Sequence, residues 1–451
     1  MEKYGIDRLA QWISTVELSE IPESVRLVAK SCLIDTIGVG LVGSTTRVAG
    51  QARRIAQSIS SVQTASILGQ AGKLSAPAAA FVNATAGHAL DYDDSSYAGF
   101  VHGSVVIFPA AFAVGEMVNA SGAEFLTAFI IGAESEYAIG RALTQQLYDQ
   151  GWWTTGVLGP VGACAAAAYL LGLNPKQTAS ALGLALSGTG GMKVCFGTDA
   201  KPLLAGRAAE SGVISALLAS EGCSGPLDAL EAPAGLAALF NQNVFESSAL
   251  DEIGSHWNLL SPGIDIKRIP VCLSSHAAVE ASLALVYQHK IELEHIKHII
   301  CDVPLTVKNN LLYDRPVTRQ QAQFSMQFSV AASLLYGKLK FSHLNNQTIK
   351  NKILINFMEK IYMKSSNYWS TSTMHQSAPE GARVHIELED TTCFDMFKST
   401  YLGSAEKPLS KNDLDNKFYE CAIQTMSKDN VNTLLCKLHK IESQKFIRTL
   451  F

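Results

Sequence analysis

The residues best suited to chemistry lie in one short stretch, positions 88–104. It holds two imidazoles, three carboxylates and three serine hydroxyls within seventeen residues, and the flanking segments 75–83 and 105–114 are almost wholly apolar. Removing so much charge from water at the ends of apolar helices is costly unless the groups are paired or used. The stretch therefore fits a functional site, or alternatively a solvated junction in which Asp and Ser residues cap helix ends.

Lys201 belongs to a second segment that suits an anionic ligand. The pattern predicts that Lys201 lies in a loop broken by Gly197 and Pro202, and that Arg207 falls in the first turn of the following helix. A cation beside a helix N-terminus, where free N–H groups point outward, favours a carboxylate or phosphate ligand. The alternative is that Arg207 pairs with Glu210 along the helix.

A third segment combines two cations with a thiol and an imidazole, namely Lys267, Arg268, Cys272 and His276. The hydrophobic pattern changes near this point, and clefts commonly form at such domain boundaries. A polar linker in which Cys272 and His276 only pack is the alternative. The lysines between positions 350 and 364, by contrast, are predicted to line the solvated face of an amphipathic helix.

The composition limits the class of protein. Of the 451 residues, 47% are hydrophobic and 17% are charged, so the chain can bury a large core and is not expected to be disordered. A net charge of −4 gives no electrostatic reason to expect nucleic acid or an anionic membrane as a partner. Nine scattered cysteines without a CxxC pair, and an N-terminus too polar for an export signal, predict a reduced, cytoplasmic protein.

Hydrophobic patterns predict a mostly α-helical protein with one inserted domain. Ala- and Leu-rich stretches suggest successive helices up to about residue 240, whereas alternating patterns at 296–303 and 382–388 predict strands. Helical patterns return near the C-terminus. We therefore expect a large all-α domain formed by residues 1–264 and 402–451, and a smaller inserted α+β lid domain formed by residues 265–401.

Three local patterns give sharper predictions. The uncharged segment 150–175 is long enough to span a bilayer, but its Gln, Thr, Gly and Pro residues favour a buried helix of a soluble protein. The segment 346–362 is predicted to be helical. Ser410 is the expected N-cap of a C-terminal helix.

Taken together and in order, the motifs resemble those of the MmgE/PrpD family, which contains 2-methylcitrate dehydratase, cis-aconitate decarboxylase and iminodisuccinate epimerase. The resemblance runs nearly end to end. It implies a mostly helical large domain completed by the C-terminus, a smaller α+β lid, and a homodimer. The motifs are Asp35-Thr-Ile-Gly-Val39, His88-Ala-Leu-Asp-Tyr-Asp-Asp94 with His102, Gly197-Thr-Asp-Ala-Lys-Pro202 with Gly206-Arg-Ala-Ala209, Ile266-Lys-Arg-Ile-Pro-Val-Cys272 with His276, and Ala322-Gln-Phe-Ser-Met-Gln-Phe328.

The resemblance implies a set of site residues. Asp91, Ser95 and His102 form its first wall, Lys201 is the cation of the second wall, and the lid junction adds the residues Lys267, Cys272 and His276. Family members often have Thr in place of Ser95, and many follow the histidine with Pro-Ser where this chain has Gly103-Ser104.

These residue types suit proton transfer next to a carboxylate, without a redox cofactor or a metal. His102 is the expected general base, and Asp91 would orient it or hold a substrate hydroxyl. Lys201 would anchor a carboxylate or act as the acid–base group itself. Because a substrate with two or three carboxylates needs several cations, Arg207 and Arg268 are further candidates for binding it.

Two departures from the family pattern bear on the reaction. The resemblance implies a histidine in decarboxylase-like members at the positions of Trp153 and Cys272. We therefore expect a hydro-lyase that resembles 2-methylcitrate dehydratase. An isomerase that resembles iminodisuccinate epimerase is the next alternative, and a cis-aconitate decarboxylase follows.

Two alternatives from other classes remain open. The acidic run 91–95 in a helical setting is similar to the Mg²⁺-binding motif of terpenoid synthases, and the segment 412–420 is near their second metal motif. A family member without catalysis that serves as a binding protein is the other alternative. Dependence of activity on Mg²⁺ and a diphosphate substrate would separate the first alternative from a carboxylate lyase.

Overall fold

The structure is a computed structural model that describes residues 4–370, 374 and 378–451. Helices dominate it, as the patterns predict. Up to residue 251 they are α1 (Gly5–Ile13), α2 (Glu23–Gly43), α3 (Arg47–Ile59), α4 (Ala76–His88), α5 (Ser104–Val118), α6 (Gly122–Leu143), α7 (Gln146–Asp149), α8 (Thr154–Leu170), α9 (Pro175–Ser187), α10 (Ala200–Ser220), α11 (Leu236–Asn241) and α12 (Ser248–Asp251). Beyond residue 251 they are α13 (His276–His289), α14 (Leu305–Asn310), α15 (Arg319–Ala322), α16 (Met326–Tyr336), α17 (Asn346–Ile349), α18 (Lys352–Met358), α19 (Lys411–Ala422) and α20 (Lys428–His439).

Strands are few among the described residues and form two small sheets there. The first is a short antiparallel pair, β1 (Ala65–Ser66) with β2 (Lys73–Leu74). The second has the order β4-β3-β5-β6 and is formed by β3 (Ile296–Asp302), β4 (Ile361–Lys364), β5 (Ala382–Leu388) and β6 (Cys393–Lys398). β3 runs parallel to β4 and antiparallel to β5. The two predicted strands are therefore the central pair of this sheet.

Small residues allow the helices to pack closely. A Cβ atom on Gly212 of α10 would lie 2.5 Å from the Cβ of Ala163 and 2.6 Å from the carbonyl oxygen of Pro160, both on α8. A Cβ on Gly132 of α6 would lie 2.6 Å from the carbonyl oxygen of Gly162. Because these distances are shorter than a carbon contact allows, larger residues at these positions would separate α8 from its neighbours.

Two large hydrophobic cores contain most of the buried apolar side chains of the described residues, and a small third cluster includes Val39, Val42 and Cys421. The first is built from apolar side chains between Ile6 and Ile266 and from those of α19, α20 and the C-terminal turns, with Phe324 packed against them. The second lies between Ile269 and Tyr401 and includes the larger sheet. α19 packs along α2, which returns the C-terminal segment to the first core.

The local predictions had mixed outcomes. Segment 154–168 of α8 is buried without interruption, as expected for a helix surrounded by helices. The Ser410 side chain accepts a hydrogen bond from the Asp413 N–H at 3.1 Å and caps α19 as predicted. Among the described helices, α10 is long and apolar enough to cross a membrane, with a mean hydropathy of 1.2 over 18 residues. Half of these 18 residues are buried inside the molecule, as in the core helices of soluble proteins.

Two predictions are wrong in detail. The segment 346–362 is not one helix, because the Asn351 side chain caps α18 by accepting from the Ile353 N–H at 2.8 Å, and the chain then enters β4. Parallel pairing of β4 with β3 overrides the lysine spacing that favoured a helix. Because α10 already begins at Ala200, Lys201 lies in the first turn of this helix and not in the loop before it, and Arg207 lies beyond the first turn.

Candidate active site

The stretch 88–104 forms the connection between α4 and α5, and it lies inside the molecule. Ser95 ties this loop to the segment that leaves the first core: the Ser95 N–H donates to the carbonyl oxygen of Asp265 at 3.0 Å, and the Asp265 N–H donates back at 2.8 Å. Asp91 has a left-handed backbone with a φ of 49°, which Asp tolerates better than most residues. The solvated junction considered above is therefore excluded, since Asp91, Asp93 and Asp94 are all buried.

A cavity of about 60 Å³ lies where the two cores meet, and the loop forms one of its walls. Both parts of the chain line it. The first part contributes Asp91, Ser95, Tyr97, His102, Tyr148, Trp153, Phe196 and Lys201, and the second part contributes Lys267, Cys272, Ser274, Asn310, Phe324 and Glu380.

Asp91 holds two buried lysines at this cavity. The Lys201 Nζ donates to Asp91 Oδ1 at 2.5 Å, and the Lys267 Nζ donates to Asp91 Oδ2 at 3.0 Å and to the Asp91 carbonyl oxygen at 2.9 Å. Burial acts to raise the pKa of Asp91, but the two ammonium groups outweigh it and hold that pKa well below its usual value. Asp91 is therefore an ionised counter-ion, and the trio carries one net positive charge toward a ligand.

His102 is held in one tautomer. Its Nδ1 lies 2.7 Å from the carbonyl oxygen of Asp94 and 3.3 Å from Asp93 Oδ2, and its backbone N–H donates to Thr155 Oγ1 at 2.9 Å. A carbonyl oxygen can only accept, so Nδ1 carries the hydrogen and Nε2 keeps its lone pair. Burial lowers the pKa of His102, with Asp93 opposing this shift, so the imidazole is neutral near pH 7.

Asp93 joins His102 to a second imidazole behind it. The His88 Nδ1 lies 2.8 Å from Asp93 Oδ2, and the His88 and His102 rings are 4.7 Å apart between centroids. Burial lowers the pKa of His88 to about 4, so His88 is neutral and donates to the carboxylate. Burial acts to raise the pKa of Asp93, but the two histidines outweigh it and lower that pKa well below its usual value.

The third carboxyl of the run points away from this chemistry. Asp94 Oδ2 accepts from the Ser104 hydroxyl at 2.6 Å. Burial raises the pKa of Asp94 to about 8, and the nearby Asp35 adds to the shift. Asp94 is therefore largely protonated near pH 7 and supports the loop from behind.

Aromatic side chains enclose the Lys201 ammonium group. Its Nζ lies 4.9 Å from the ring centroid of Phe196, 5.0 Å from that of Phe324 and 5.6 Å from that of Trp153. These distances are in the range of cation–π attraction. Trp153 also stacks on His88, with the ring centroids 5.4 Å apart. The indole thus occupies space beside the imidazole pair and adds no titratable group.

The other end of the cavity is lined by neutral and acidic groups that no pattern in the sequence singles out. The Tyr148 hydroxyl donates to Asn310 Oδ1 at 2.8 Å, and the Asn310 side-chain amide donates to Ser274 Oγ at 3.1 Å. Glu380 lines the same end and is buried. Cys272 lines the cavity as well, and burial, followed by the Asp91 and Glu380 carboxylates, raises the pKa of its thiol to about 11.

Six predicted site residues meet at this cavity: Asp91, Ser95, His102, Lys201, Lys267 and Cys272. The Asp91 carboxylate accepts hydrogen bonds from both Lys201 and Lys267, which the sequence did not predict. The His102 imidazole contacts Asp93 and the Asp94 carbonyl oxygen instead of Asp91. The expectation that Asp91 orients His102 is therefore corrected, since Asp93 contacts that imidazole.

Three other predicted site residues lie outside the cavity lining. Arg207 is exposed on α10, more than one helical turn after Lys201. The Arg268 side chain is turned toward Glu280, 3.5 Å away, and is 37% exposed. His276 is buried at the start of α13, with its Nε2 3.3 Å from the carbonyl oxygen of Val271. For His276 the packing alternative describes the structure, whereas Arg207 faces solvent and Arg268 pairs with Glu280.

His88, Asp93 and His102 also have the residue types and the spacing of a metal site, with ligand atoms within 4.8 Å of one another. The nitrogens that face Asp93 already donate to carboxylate or carbonyl oxygens, so a metal would have to displace these hydrogen bonds. The Mg²⁺ alternative for 91–95 fits no better, because both Asp91 oxygens contact ammonium groups. The proposed partner segment 412–420 forms the capped helix α19 on the first core.

Comparison with known proteins agrees with the order of the motifs. A model described as the MmgE/PrpD N-terminal domain matches residues 7–247, and one described as the MmgE/PrpD C-terminal domain matches residues 269–437. The chain is similar to cis-aconitate decarboxylase from Homo sapiens, with 28% identity over 98% of this chain and 92% of that protein. It is 27% identical to the enzyme of that name from Mus musculus, over 98% of this chain and 91% of the relative.

A more distant relative gives the same result. Cis-aconitate decarboxylase from Aspergillus terreus is 26% identical over 90% of this chain and 86% of that protein. The two family models together cover most of the chain, and both matched regions contribute residues to the lining of one cavity. The chain belongs to the MmgE/PrpD family and is a lyase-like member of it.

Proposed function

We propose that this protein is a lyase that removes a proton next to a carboxylate of a small di- or tricarboxylate, and that it eliminates water from a hydroxy acid of the 2-methylcitrate type. One observation carries the proposal. A neutral imidazole, whose Nε2 makes no hydrogen bond with the described residues, lines the same cavity as two lysines fixed on one carboxylate.

The imidazole supplies the base. Because Nδ1 of His102 donates to the Asp94 carbonyl oxygen, Nε2 is the nitrogen that accepts the proton. Asp93 then faces the imidazolium that forms, at 3.3 Å from Nδ1, and stabilises its charge. A base of this kind contributes about 10²–10⁴-fold to the rate of a proton transfer.

The two lysines hold and polarise the substrate carboxylate. Negative charge develops on that carboxylate when the neighbouring carbon loses its proton, and buried cations stabilise such charge strongly because little water screens them. Asp91 fixes the ammonium groups of Lys201 and Lys267 before the substrate arrives. The lysines therefore need no rearrangement during the reaction.

Elimination of water is proposed over decarboxylation because of Trp153 and Cys272. Both side chains line the cavity, and neither is a proton donor of imidazole type: the indole does not titrate, and the thiol has a pKa of about 11. Decarboxylation of cis-aconitate is the second candidate. It is supported by the names of the relatives, which are cis-aconitate decarboxylases.

We further propose that residues 265–401 act as a lid. The cavity holds about 60 Å³, and one water needs about 10–15 Å³ in the same measure, so there is room for only a few water molecules. A tricarboxylate needs more space than this. Separation of the two cores would open the cavity, and closure would bring Lys267 and Cys272 back to Lys201.

A proton-NMR screen of the purified protein in D₂O tests the proposal. The compounds are 2-methylcitrate, citrate, cis-aconitate and iminodisuccinate, so that dehydration, decarboxylation and solvent exchange at the reacting carbon are read together. We expect loss of water from a hydroxy-tricarboxylate and little or no itaconate from cis-aconitate. Faster release of CO₂ from cis-aconitate than of water from 2-methylcitrate would reject the hydro-lyase and favour the second candidate.

A further inference from the structure

Glu380 is a buried carboxyl group in the cavity that the reaction above leaves unused. It lies just before β5, between Pro379 and Gly381, and it lines the cavity. The side chain is buried, and its Oε2 has no hydrogen-bond partner among the described residues. A buried carboxyl oxygen without a partner is costly, so its presence at a ligand cavity points to a group that the ligand satisfies.

The charges divide the cavity into two ends. At one end Lys201 and Lys267 contact Asp91, and the charged groups that act on His102 are Asp93 and these lysines. At the other end burial raises the pKa of Glu380, and the neighbouring Ser274 hydroxyl opposes this rise. Cys272 also lines the cavity, and burial, followed by the Asp91 and Glu380 carboxylates, raises the pKa of its thiol.

We propose that Glu380 is a catalytic residue, the general acid that protonates the departing hydroxyl group, and that the substrate is a hydroxy acid whose carboxylate faces the lysines while its hydroxyl faces Glu380. This inference rests on the proposed elimination of water and assigns the second half of it. It also gives the unpartnered oxygen of Glu380 a role in recognition.

The elimination consists of one proton transfer to His102 and one from Glu380. Nε2 of His102 takes the proton from the carbon next to the carboxylate, and the electron pair of that C–H bond forms the new C=C bond. The C–O bond breaks with its electron pair on oxygen, and the proton of the Glu380 carboxyl joins that oxygen, so that water leaves. His102 is then protonated and Glu380 is ionised. Both return to their starting states by proton exchange with water, with no oxidant or co-reactant.

A second pocket offers Glu380 a route to regain its proton. Glu380 and Tyr97 line both the buried cavity and a pocket of about 200 Å³ whose lining includes the exposed residues Ser399 and Glu406. The carboxyl group therefore stands between the reaction cavity and the surface. Water in the outer pocket can return the proton without passing His102.

The surroundings of Glu380 favour the protonated form that an acid catalyst needs. Burial raises the pKa of Glu380 to about 7, against a lowering by Ser274, and Asp265 adds to the rise while Lys193 and Lys267 oppose it. The titratable groups Tyr97, Tyr148, Tyr401 and Cys272 also lie within its field. An acid with a pKa near the working pH transfers protons most efficiently.

The first test compares two leaving groups in the full-length protein. The substrates are the hydroxy acid that the wild type dehydrates and its analogue in which fluoride replaces the hydroxyl, because fluoride leaves with much less need of a proton. We expect Glu380→Gln to slow water elimination by about 10²–10⁴-fold and to leave fluoride elimination within about tenfold of the wild type. His102→Gln should lose both reactions, since both need the base.

Glu136→Gln is the matched control. Glu136 is another fully buried carboxyl with a raised pKa, and it lies on α6 outside the cavity lining. We expect this variant to keep both eliminations. Water elimination by Glu380→Gln at more than a tenth of the wild-type rate would overturn the assignment, and so would equal losses of water and fluoride elimination.

The second test needs no turnover. Citrate and tricarballylate differ only in the hydroxyl group, and their dissociation constants are measured by calorimetry. We expect the wild type to bind citrate about tenfold or more tightly than tricarballylate, and Glu380→Ala to remove most of this preference. An unchanged preference in Glu380→Ala would overturn the recognition of the hydroxyl by Glu380.

The two proposals can fail separately. If the wild type turns over none of the hydroxy acids, the proposed function fails, and the citrate–tricarballylate preference still decides whether Glu380 recognises a hydroxyl. If the wild type eliminates water and Glu380→Gln does so equally well, the proposed function stands and the role of Glu380 is rejected.

Discussion

Asp91→Asn is the change that most directly tests the electrostatics of the site. Asparagine has nearly the shape of aspartate and also tolerates the left-handed backbone that Asp91 adopts at a φ of 49°. The substitution therefore removes the charge and keeps the turn. It leaves the Lys201 and Lys267 ammonium groups buried without a counter-ion, while the Lys267 contact with the backbone carbonyl at 2.9 Å remains.

The size of the effect follows from the geometry. The two lysine contacts of Asp91 are 2.5 and 3.0 Å long. At an effective dielectric constant of about 20, each corresponds to about 6 kcal/mol of Coulomb attraction before the cost of desolvation is subtracted. Measured losses on breaking a buried pair are about 3–5 kcal/mol, because the partner charge stays buried. We expect the free energy of unfolding to fall by about that amount at pH 7.

Urea unfolding at pH 7 measures this loss, with Asp395→Asn as the control. Asp395 also contacts a basic side chain, His385 at 3.0 Å, but it is exposed on the sheet, so Asp395→Asn should lower the free energy of unfolding by no more than about 0.5 kcal/mol. Addition of Lys267→Met to Asp91→Asn should cost less than the sum of the single changes, because it removes one of the stranded charges. Strict additivity, or a loss below about 1 kcal/mol for Asp91→Asn, would refute the reasoning.

The pH dependence of this difference has a definite sign. The lysines hold the pKa of Asp91 well below its usual value in the folded protein. Its contribution to stability is therefore fully present above the unfolded value near 3.8 and is lost as the pH falls toward the folded value. The gap between the wild type and Asp91→Asn should narrow below about pH 4, and a gap that widens there would contradict the ion pair.

Three further predictions concern catalysis, buried acids and metals. His102→Ala should lower kcat by about 10²–10⁴-fold with an unchanged circular dichroism spectrum, whereas Lys201→Ala should mainly raise KM; wild-type kinetics in His102→Ala would remove the base assignment. Burial, followed by Asp94, raises the pKa of Glu136 from 4.5 to about 8, so the wild type loses stability as the pH rises through that range. The melting temperature of Glu136→Gln, which cannot ionise, should therefore rise relative to that of the wild type between pH 5 and pH 8. Activity should survive exhaustive EDTA treatment, and its loss with recovery only on addition of a divalent ion would identify a metal at His88, Asp93 and His102.

Much of the site follows from local sequence, because its residues lie in contiguous motifs. Asp91 and His102 belong to one loop, and Lys201 stands close to the start of a helix, so spacing alone identifies them as candidates. The partner of each group does not follow from spacing. Asp91 and Lys267 are brought together by the contact between the two cores, so the ion pairs of one carboxylate with both lysines could not be predicted from the sequence.

The positions of the Glu380 and Arg268 side chains could not be predicted from the local sequence. Glu380 stands alone between a proline and a glycine, with no neighbour of matching chemistry, so only the folded chain connects it to the cavity. Arg268 follows Lys267 directly, and both have the charge that a carboxylate site needs. In an extended segment neighbouring side chains point to opposite sides, and here Lys267 points inward while Arg268 reaches Glu280 near the surface.

The pairing of charges explains why the base of this site is an imidazole and not a carboxylate. Asp91 is nearest to the lysines, but ionisation with two ammonium partners makes its oxygens poor proton acceptors, since the same contacts that lower its pKa must be broken to protonate it. His102 can accept a proton without breaking such contacts, because its Nδ1 faces a neutral carbonyl and its Nε2 makes no hydrogen bond with the described residues. The lysines also disfavour a permanent charge on His102, which keeps it neutral until a substrate carboxylate arrives. A negative ligand that contacts the lysines offsets this repulsion, so substrate binding itself makes His102 a stronger base.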